Sequence, residues 1–126
     1  MSSYAFFSAM LRFVAAKTEA AAQDARTAEM MAVLRRIAGT VEQGAEFEVA
    51  GNRLELTARA LAGFAAFLQK SILPEAVAHG NQTGEVQIRW SVDTAMDAVS
   101  TLLSRAALQE GQEGLPVRIA LPPPPA

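Results

Sequence analysis

The first third of the chain contains a stretch, Ser2–Ala38, with no glycine, no proline and many alanines. Glycine and proline weaken helices most and alanine favours them most, so this stretch predicts helix. Its apolar residues form two stripes whose phases differ by roughly half a turn. We therefore expect helices at 3–22 and 27–43, with a break near 23–27 where Asp24 or Thr27 is the N-cap. One unbroken helix that shows its halves to different neighbours is the alternative.

A short β-hairpin is predicted at 46–56. Polar and apolar residues alternate on both sides of the Gly51-Asn52 pair, as in strands with one buried face. That pair suits a two-residue turn. The register that the turn imposes sets Glu48 opposite Glu55, and this like-charge contact is the weak point of the prediction.

Two longer helices are predicted at 57–79 and 85–109. Thr57 is the expected N-cap of the first, and Pro74 is expected to kink or restart it, because proline lacks an N–H and crowds the preceding turn. The start of the second is ambiguous, since Glu85–Val92 alternates like a strand but also continues the apolar face of the helix after it. On the helical interpretation, that buried face comprises Ile88, Val92, Ala95, Met96, Val99, Leu102, Leu103 and Ala106.

The predicted fold class is therefore mainly α, with about four helices in a bundle-like packing and a small β-hairpin. The alternative is an α+β fold in which Glu85–Val92 and Val117–Leu121 are additional strands of the same sheet. At 126 residues the chain has the length of one domain. We expect residues 1–110 to form a single helical domain and 111–126 to form a linker and a Pro-rich tail.

The composition predicts association. Hydrophobic residues make up 51% of the chain and charged residues 19%, whereas an average soluble domain carries about 25% charged residues. We expect apolar area to remain on the surface, and such area usually marks an interface. Self-association is the simplest outcome, because closed homo-oligomers are the commonest assemblies.

The net charge and the N-terminal sequence argue against nucleic acid as a partner and against a membrane or secreted location. A net charge of −2 and a pI of about 5.4 argue against nucleic acid. No uncharged run approaches the roughly 20 residues that a membrane span needs. The first basic residue, Arg12, follows the N-terminal apolar stretch rather than preceding it as in a secretory signal, so we expect a cytoplasmic location.

No residue pattern predicts catalysis. The chain has no cysteine, and its one histidine, His79, precedes Gly-Asn at an expected helix end, where capping is the ordinary role. Two groups of carboxylates are candidates for acid–base work: Glu46, Glu48 and Glu55 on the hairpin, and Asp93 and Asp97 one helical turn apart. Their spacing is typical of solvated faces. We therefore predict no enzyme activity, no cofactor and no metal.

The N-terminal helix carries the most concentrated candidate interface. Four of the eight aromatic residues (six Phe, one Tyr and one Trp in all) lie within its first turns. With their apolar neighbours they cover roughly 160° of the helix, more than one neighbouring helix buries. Trp90 belongs to the core if its segment is a strand and to an interface if it is a helix. The interface candidates are Tyr4, Phe6, Phe7, Met10, Leu11, Phe13, Val14 and Trp90.

Three roles remain open for this aromatic face: the centre of its own bundle, a contact with a second copy or another protein, or a lipid surface. Scarce Lys and Arg disfavour the last. The predicted function is a non-enzymatic structural or adaptor protein, homo-oligomeric or part of a larger assembly. The alternative is a module that binds an apolar ligand or a lipid surface. The segment Leu121–Ala126 is expected to drape or remain disordered, with a polyproline ligand as the alternative.

Overall fold

The computed structural model describes residues 2–22, 24–109 and 114–125. Helices dominate it, and two strands form one antiparallel sheet, which confirms the mainly α fold class with a small β element. The helices are α1 (Ser3–Ala21), α2 (Ala25–Val41), α3 (Leu54–Phe67), α4 (Leu73–Ala78) and α5 (Gln82–Leu108). The strands are β1 (Glu46–Val49) and β2 (Val117–Ala120).

The long Gly- and Pro-free stretch divides into two helices, as predicted. The Ser2 hydroxyl caps α1 by accepting a hydrogen bond from the Ala5 N–H. Asp24 caps α2, and its Oδ1 accepts from the Thr27 N–H at 2.9 Å. Of the two candidate caps Asp24 is therefore the real one, so α2 begins two residues earlier than expected. Gln23, within the predicted break, lies outside the described residues.

The predicted helix 57–79 is three consecutive helical segments. α3 runs into a π-helical turn, Leu68–Ile72, and then into α4. Pro74 comes two residues after the end of this turn and lies in the first turn of α4. Because proline cannot donate to the ladder, a widened turn before it is the expected local response. Thr57 was wrongly predicted as the N-cap, since α3 begins at Leu54 and Thr57 is buried inside it.

The predicted hairpin is wrong in its second strand. β1 is present, but the residues after it form a short 3₁₀ turn, Gly51–Arg53, and then the start of α3. The partner of β1 is β2 from the C-terminal end of the chain. This pairing sets Glu48 opposite Arg118, so it replaces the like-charge contact of the predicted register with an opposite-charge one.

Gly51 marks a close backbone approach rather than a hairpin turn. A Cβ added at Gly51 would collide with the backbone of Gly114, just before β2. Only glycine leaves room for that approach.

The ambiguous segment Glu85–Val92 is helical and forms part of α5. Only the Val117–Leu121 part of the α+β alternative is realised, as β2. Residues 111–126, predicted as linker and tail, therefore contribute a strand to the fold. Residues 110–113, which include the start of the predicted linker, lie outside the described residues.

The helices form two closely packed pairs, which we call the N-terminal pair (α1 with α2) and the C-terminal pair (α3 with α5). α2 packs on α3 and so joins the pairs, while the sheet lies against α2 and α5. One apolar core runs through both pairs and under the sheet. Its largest fully buried side chains are Phe7, Leu11, Val14, Leu34, Val41, Leu61, Phe64, Leu68 and Leu102.

Candidate association surfaces

The centre of the α1 aromatic face points into the core. Phe7, Leu11 and Val14 are buried, and the Phe7 ring meets the Phe64 ring of α3 edge to face at 5.6 Å. In this fold these three side chains are not available to a partner. They pack between the two helix pairs, which is the first of the three roles considered for the face.

The edges of the aromatic face remain partly accessible. Tyr4, Phe6 and Met10 are half-buried, and Phe13 is 37% exposed. Phe13 lies 6.3 Å from Phe67 between ring centroids and 5.7 Å from the Lys17 ammonium nitrogen. The accessible remainder of the face is thus divided between two flanks of α1.

Phe6 and Met10 form one wall of a groove between α1, α4 and α5, which we call the α1–α4–α5 groove. Ile72, Ala76 and Ile88 complete its apolar lining, and its volume is about 350 Å³. The remaining lining residues are Glu75, His79, Asn81 and Gly84. Small-molecule sites commonly occupy about 300–1,000 Å³, so this groove is at the lower end of that range.

Trp90 is half-buried although it lies on a helix. Its ring meets Tyr4 at 5.9 Å and Phe7 at 6.0 Å, both edge to face. Its indole N–H donates a 2.9 Å hydrogen bond to the carbonyl of Pro123 in the C-terminal tail. A helical Trp90 was expected to be exposed, and what covers it is the side chains of α1 and the proline-rich tail.

The candidate chemical residues do not converge. His79 ends α4, where its Nδ1 lies 2.8 Å from the Glu75 carbonyl oxygen. Glu46 and Glu48 flank Arg118 across the sheet at 3.9 and 3.7 Å. Glu55 is in α3, and Asp93 and Asp97 are exposed on α5. Within the described ranges, no group of three or more His, Asp or Glu side chains is placed to hold a metal ion.

Arg35 and Arg36 are adjacent in the sequence, as a pair of phosphate ligands could be, but they separate in the structure. Arg35 forms an ion pair with Glu19 of α1. Arg36 lines a small pocket of about 90 Å³ under the sheet, together with Arg53. Arg53 in turn forms an ion pair with Glu29 at 3.3 Å. The adjacent arginines therefore do not build one basic surface.

Two ion pairs cross the N-terminal pair. Arg12 binds the Glu42 carboxylate with both guanidinium nitrogens, and Arg35 binds Glu19 in the same way. The hydrogen bond from Arg12, and secondarily one from the buried Ser8 hydroxyl, lowers the pKa of Glu42. Arg35 likewise lowers the pKa of Glu19. The polar sides of α1 and α2 are thus tied to each other.

The outer side of α5 carries a surface that the sequence analysis missed. Met96 and Leu103 were assigned to the buried face, but they are 45% and 47% exposed, whereas Ala95 and Leu102 beside them are 0% exposed. With other exposed residues they follow a repeating spacing of three and four positions, which places them on one side of a helix. We call this set the α5 stripe: Val86, Arg89, Asp93, Met96, Ser100, Leu103 and Ala107.

The seven-residue spacing of Met96 and Leu103 was the available signal for the stripe. It was overlooked because the apolar residues of α5 were merged into one broad buried face. α3 covers only part of that width.

No described helix is both long enough and apolar enough to cross a membrane. Comparison with protein-family models, with curated proteins and with solved structures gave no significant match to this chain.

Proposed function

We propose that this protein is a non-enzymatic association module, structural or adaptor in role, that forms homodimers through the α5 stripe. The single observation that carries the proposal is the exposure of Met96 and Leu103 one heptad apart on a helix whose opposite side is fully packed. Exposed apolar side chains at this spacing are typical of helices that pack against another helix.

A second copy is the favoured partner because the stripe is complementary to itself. Consider two α5 helices that pack antiparallel around a twofold axis between residues 101 and 102. Each Met96 then faces Ala107 of the other copy, and each Ser100 faces Leu103. Large side chains meet small ones in every layer, which is the condition for close interdigitation. The charged Arg89 and Asp93 lie outside this segment.

The size of the α5 stripe determines how strong a dimer we expect. A stable interface buries about 800 Å² per partner and uses roughly 20–30 residues on each side. The seven positions of the stripe fall short of that. We therefore expect a reversible dimer whose population depends on concentration rather than a permanent oligomer.

Sedimentation velocity tests the proposal. Over a range from about 1 µM to about 1 mM, which spans weak dissociation constants, the mass should rise from 13.4 kDa toward twice that value. Leu103→Ser should weaken dimerisation at least about tenfold, because it removes the largest side chain at the centre of the interface. A monomer at all concentrations would refute the proposal.

Val77→Ser is the matched control for that variant. Val77 is 51% exposed on α4 and lies off the α5 stripe. It should leave the dissociation constant unchanged within about twofold, since scattered exposed apolar residues contribute little to specific association. An equal loss of dimer affinity in both variants would show nonspecific hydrophobic association instead of an α5 interface.

A second candidate function is the binding of an apolar ligand in the α1–α4–α5 groove. Its support is the largely apolar lining by Phe6, Met10, Ile72 and Ile88 in a volume of about 350 Å³. Ala76→Phe would fill this groove, so decanoate binding measured by calorimetry should be lost in that variant and retained in Val77→Ser. Decanoate binding that Ala76→Phe leaves intact would place the ligand elsewhere and contradict this candidate.

A further inference from the structure

The C-terminal tail is bound to Trp90 through a backbone carbonyl. Leu121 is buried, and its N–H donates a 2.8 Å hydrogen bond to the Ala45 carbonyl, so the tail leaves the sheet from a fixed point. Two residues later the Pro123 carbonyl accepts the hydrogen bond from Trp90. The path of the tail is therefore fixed at two places.

The burial of the four consecutive prolines in the tail, Pro122–Pro125, repeats every three residues. Pro122 and Pro125 are half-buried, whereas Pro123 and Pro124 are exposed. Consecutive prolines adopt the polyproline II helix, which has three residues per turn, so positions i and i+3 lie on one face. Pro122 and Pro125 thus present a PxxP face to the protein.

The surface beneath the tail has the chemistry that recognises such a helix. Proline residues have no backbone N–H, so the carbonyl oxygens are the only polar groups that a receptor can address. Domains that bind polyproline II segments use aromatic-lined grooves. Here the Trp90 indole N–H supplies the donor, and the Tyr4 ring lies edge to face beside Trp90 at 5.9 Å, so the two rings form an aromatic pair at the point where the tail is bound.

The receptor side is also supported by the core beneath it. Trp90 rests on Phe7, which is fully buried and packs in turn against Phe64. A side chain fixed in this way loses little conformational entropy when a ligand binds to it.

We propose that Tyr4 and Trp90 form a polyproline-recognition site that binds Pro122–Pro125 in cis and accepts the same segment from a second copy of the chain when its own tail is absent or displaced. A tethered segment has an effective concentration in the millimolar range. In the intact chain the cis tail therefore excludes a micromolar competitor. This proposal does not depend on the α5 stripe, from which Trp90 is displaced around the helix.

The first experiment uses a chain that ends at Leu121 and a peptide with the sequence of Leu121–Ala126. Trp90 is the only tryptophan, so its fluorescence reports on this site alone. The peptide should produce a saturable change in emission. In the full-length chain the apparent affinity should be at least about tenfold weaker, because the cis tail competes.

Two substituted peptides test the face that is recognised. Replacing Pro122 and Pro125 with alanine should weaken binding at least about tenfold, whereas replacing the exposed Pro124 should change it by about twofold at most. If the truncated chain does not fold, the full-length Pro122→Ala, Pro125→Ala variant serves as the receptor. Equal binding of the two substituted peptides, or no saturation up to about 1 mM, would overturn the site.

The second experiment tests delivery by another copy. A full-length Trp90→Phe chain carries the tail but has no tryptophan, so it is silent in fluorescence. Added to the truncated chain, it should reproduce the peptide signal, and a Trp90→Phe chain that also ends at Leu121 should not. Peptide binding without delivery by the chain would overturn the second-copy part of the proposal. Leu103→Ser in both chains removes the α5 stripe from the measurement, so a failure of one proposal is distinguished from a failure of the other.

Discussion

The two helix pairs differ in how the polar side chains on their outer surfaces are paired. In the N-terminal pair, Arg12 and Arg35 reach across to Glu42 and Glu19, so the polar side chains of one helix are bound by those of the other. Among the described residues of the C-terminal pair, no ion pair crosses from α3 to α5, and the one ion pair on α5 joins Arg89 to Glu85 within the same helix.

The buried side chains of the C-terminal pair include several alanines. Ala58, Ala65, Ala95 and Ala98 are all buried, and residues of this size allow two helices to approach closely. The other side of α5 carries the α5 stripe, with Met96 and Leu103 exposed. The comparison teaches that apolar content does not locate an interface. What matters is whether a neighbouring element covers the apolar side chains, and α3 covers only one side of α5.

The largest effect that this comparison predicts is a difference in stability between two leucine variants. Leu11 of the aromatic face is fully buried, so Leu11→Ala should lower the free energy of unfolding by about 2–5 kcal/mol. Leu103→Ala on the α5 stripe should change it by less than about 0.5 kcal/mol at a dilution where the protein is monomeric. Urea denaturation measures both. Comparable losses would mean that Leu103 is part of the core and that the stripe is not free.

A second test compares the two sides of α5 directly. Ala95 is fully buried on α5, which packs on α3, so Ala95→Leu should overpack the core and lower the free energy of unfolding by about 1–3 kcal/mol. Ala107→Leu places the same side chain on the exposed stripe and should cost less than about 0.5 kcal/mol in the dilute monomer. If Ala95→Leu were tolerated equally well, the close approach of α3 and α5 would not be what holds this pair together.

How far the sequence predicts this molecule depends on the range of the interactions involved. The break at Asp24, the helical stretches and the disturbance before Pro74 follow from local chemistry and were predicted. The direct pairing of β1 with β2 was not predicted, although the α+β alternative placed Val117–Leu121 in the same sheet as β1. The two strands lie more than half of the chain apart, and a local hairpin pattern competed with their pairing. No local pattern around Arg118 indicates that Glu48 is its partner. The expected repulsion between Glu48 and Glu55 did argue against the predicted hairpin.

The candidate sites divide in the same way. The aromatic face of α1 was recognised as unusual, but its width reflects burial between two helix pairs, which only the tertiary structure reveals. Trp90 was identified as an interface candidate on the assumption that a helical position near the polar face is exposed. The tail that covers it arrives from residues more than thirty positions away.

The smallest expected effect is a loss of stability at acidic pH. Hydrogen bonds from Arg35, from Arg12, and from the Thr27 N–H lower the pKa values of Glu19, Glu42 and Asp24, and all three carboxylates belong to the N-terminal pair. A lowered pKa means that the folded state binds fewer protons than the unfolded chain in this range. The stabilisation is then fully present above the usual glutamate pKa of 4.5 and is lost as the pH falls through the lowered values.

The Glu19→Gln, Glu42→Gln double variant tests this sign. At pH 7 its urea midpoint should lie below that of the unsubstituted protein, because both charge-assisted contacts are removed. The difference should shrink below about pH 4.5, where the native carboxylates become protonated and lose the same contacts. Asp97→Asn is the matched control on the C-terminal pair, since Asp97 makes no ion pair within the described residues. A difference that persists unchanged to pH 3 would show that the two glutamates stabilise the N-terminal pair by packing and not by charge, and the contrast between the two helix pairs would then rest on the α5 stripe alone.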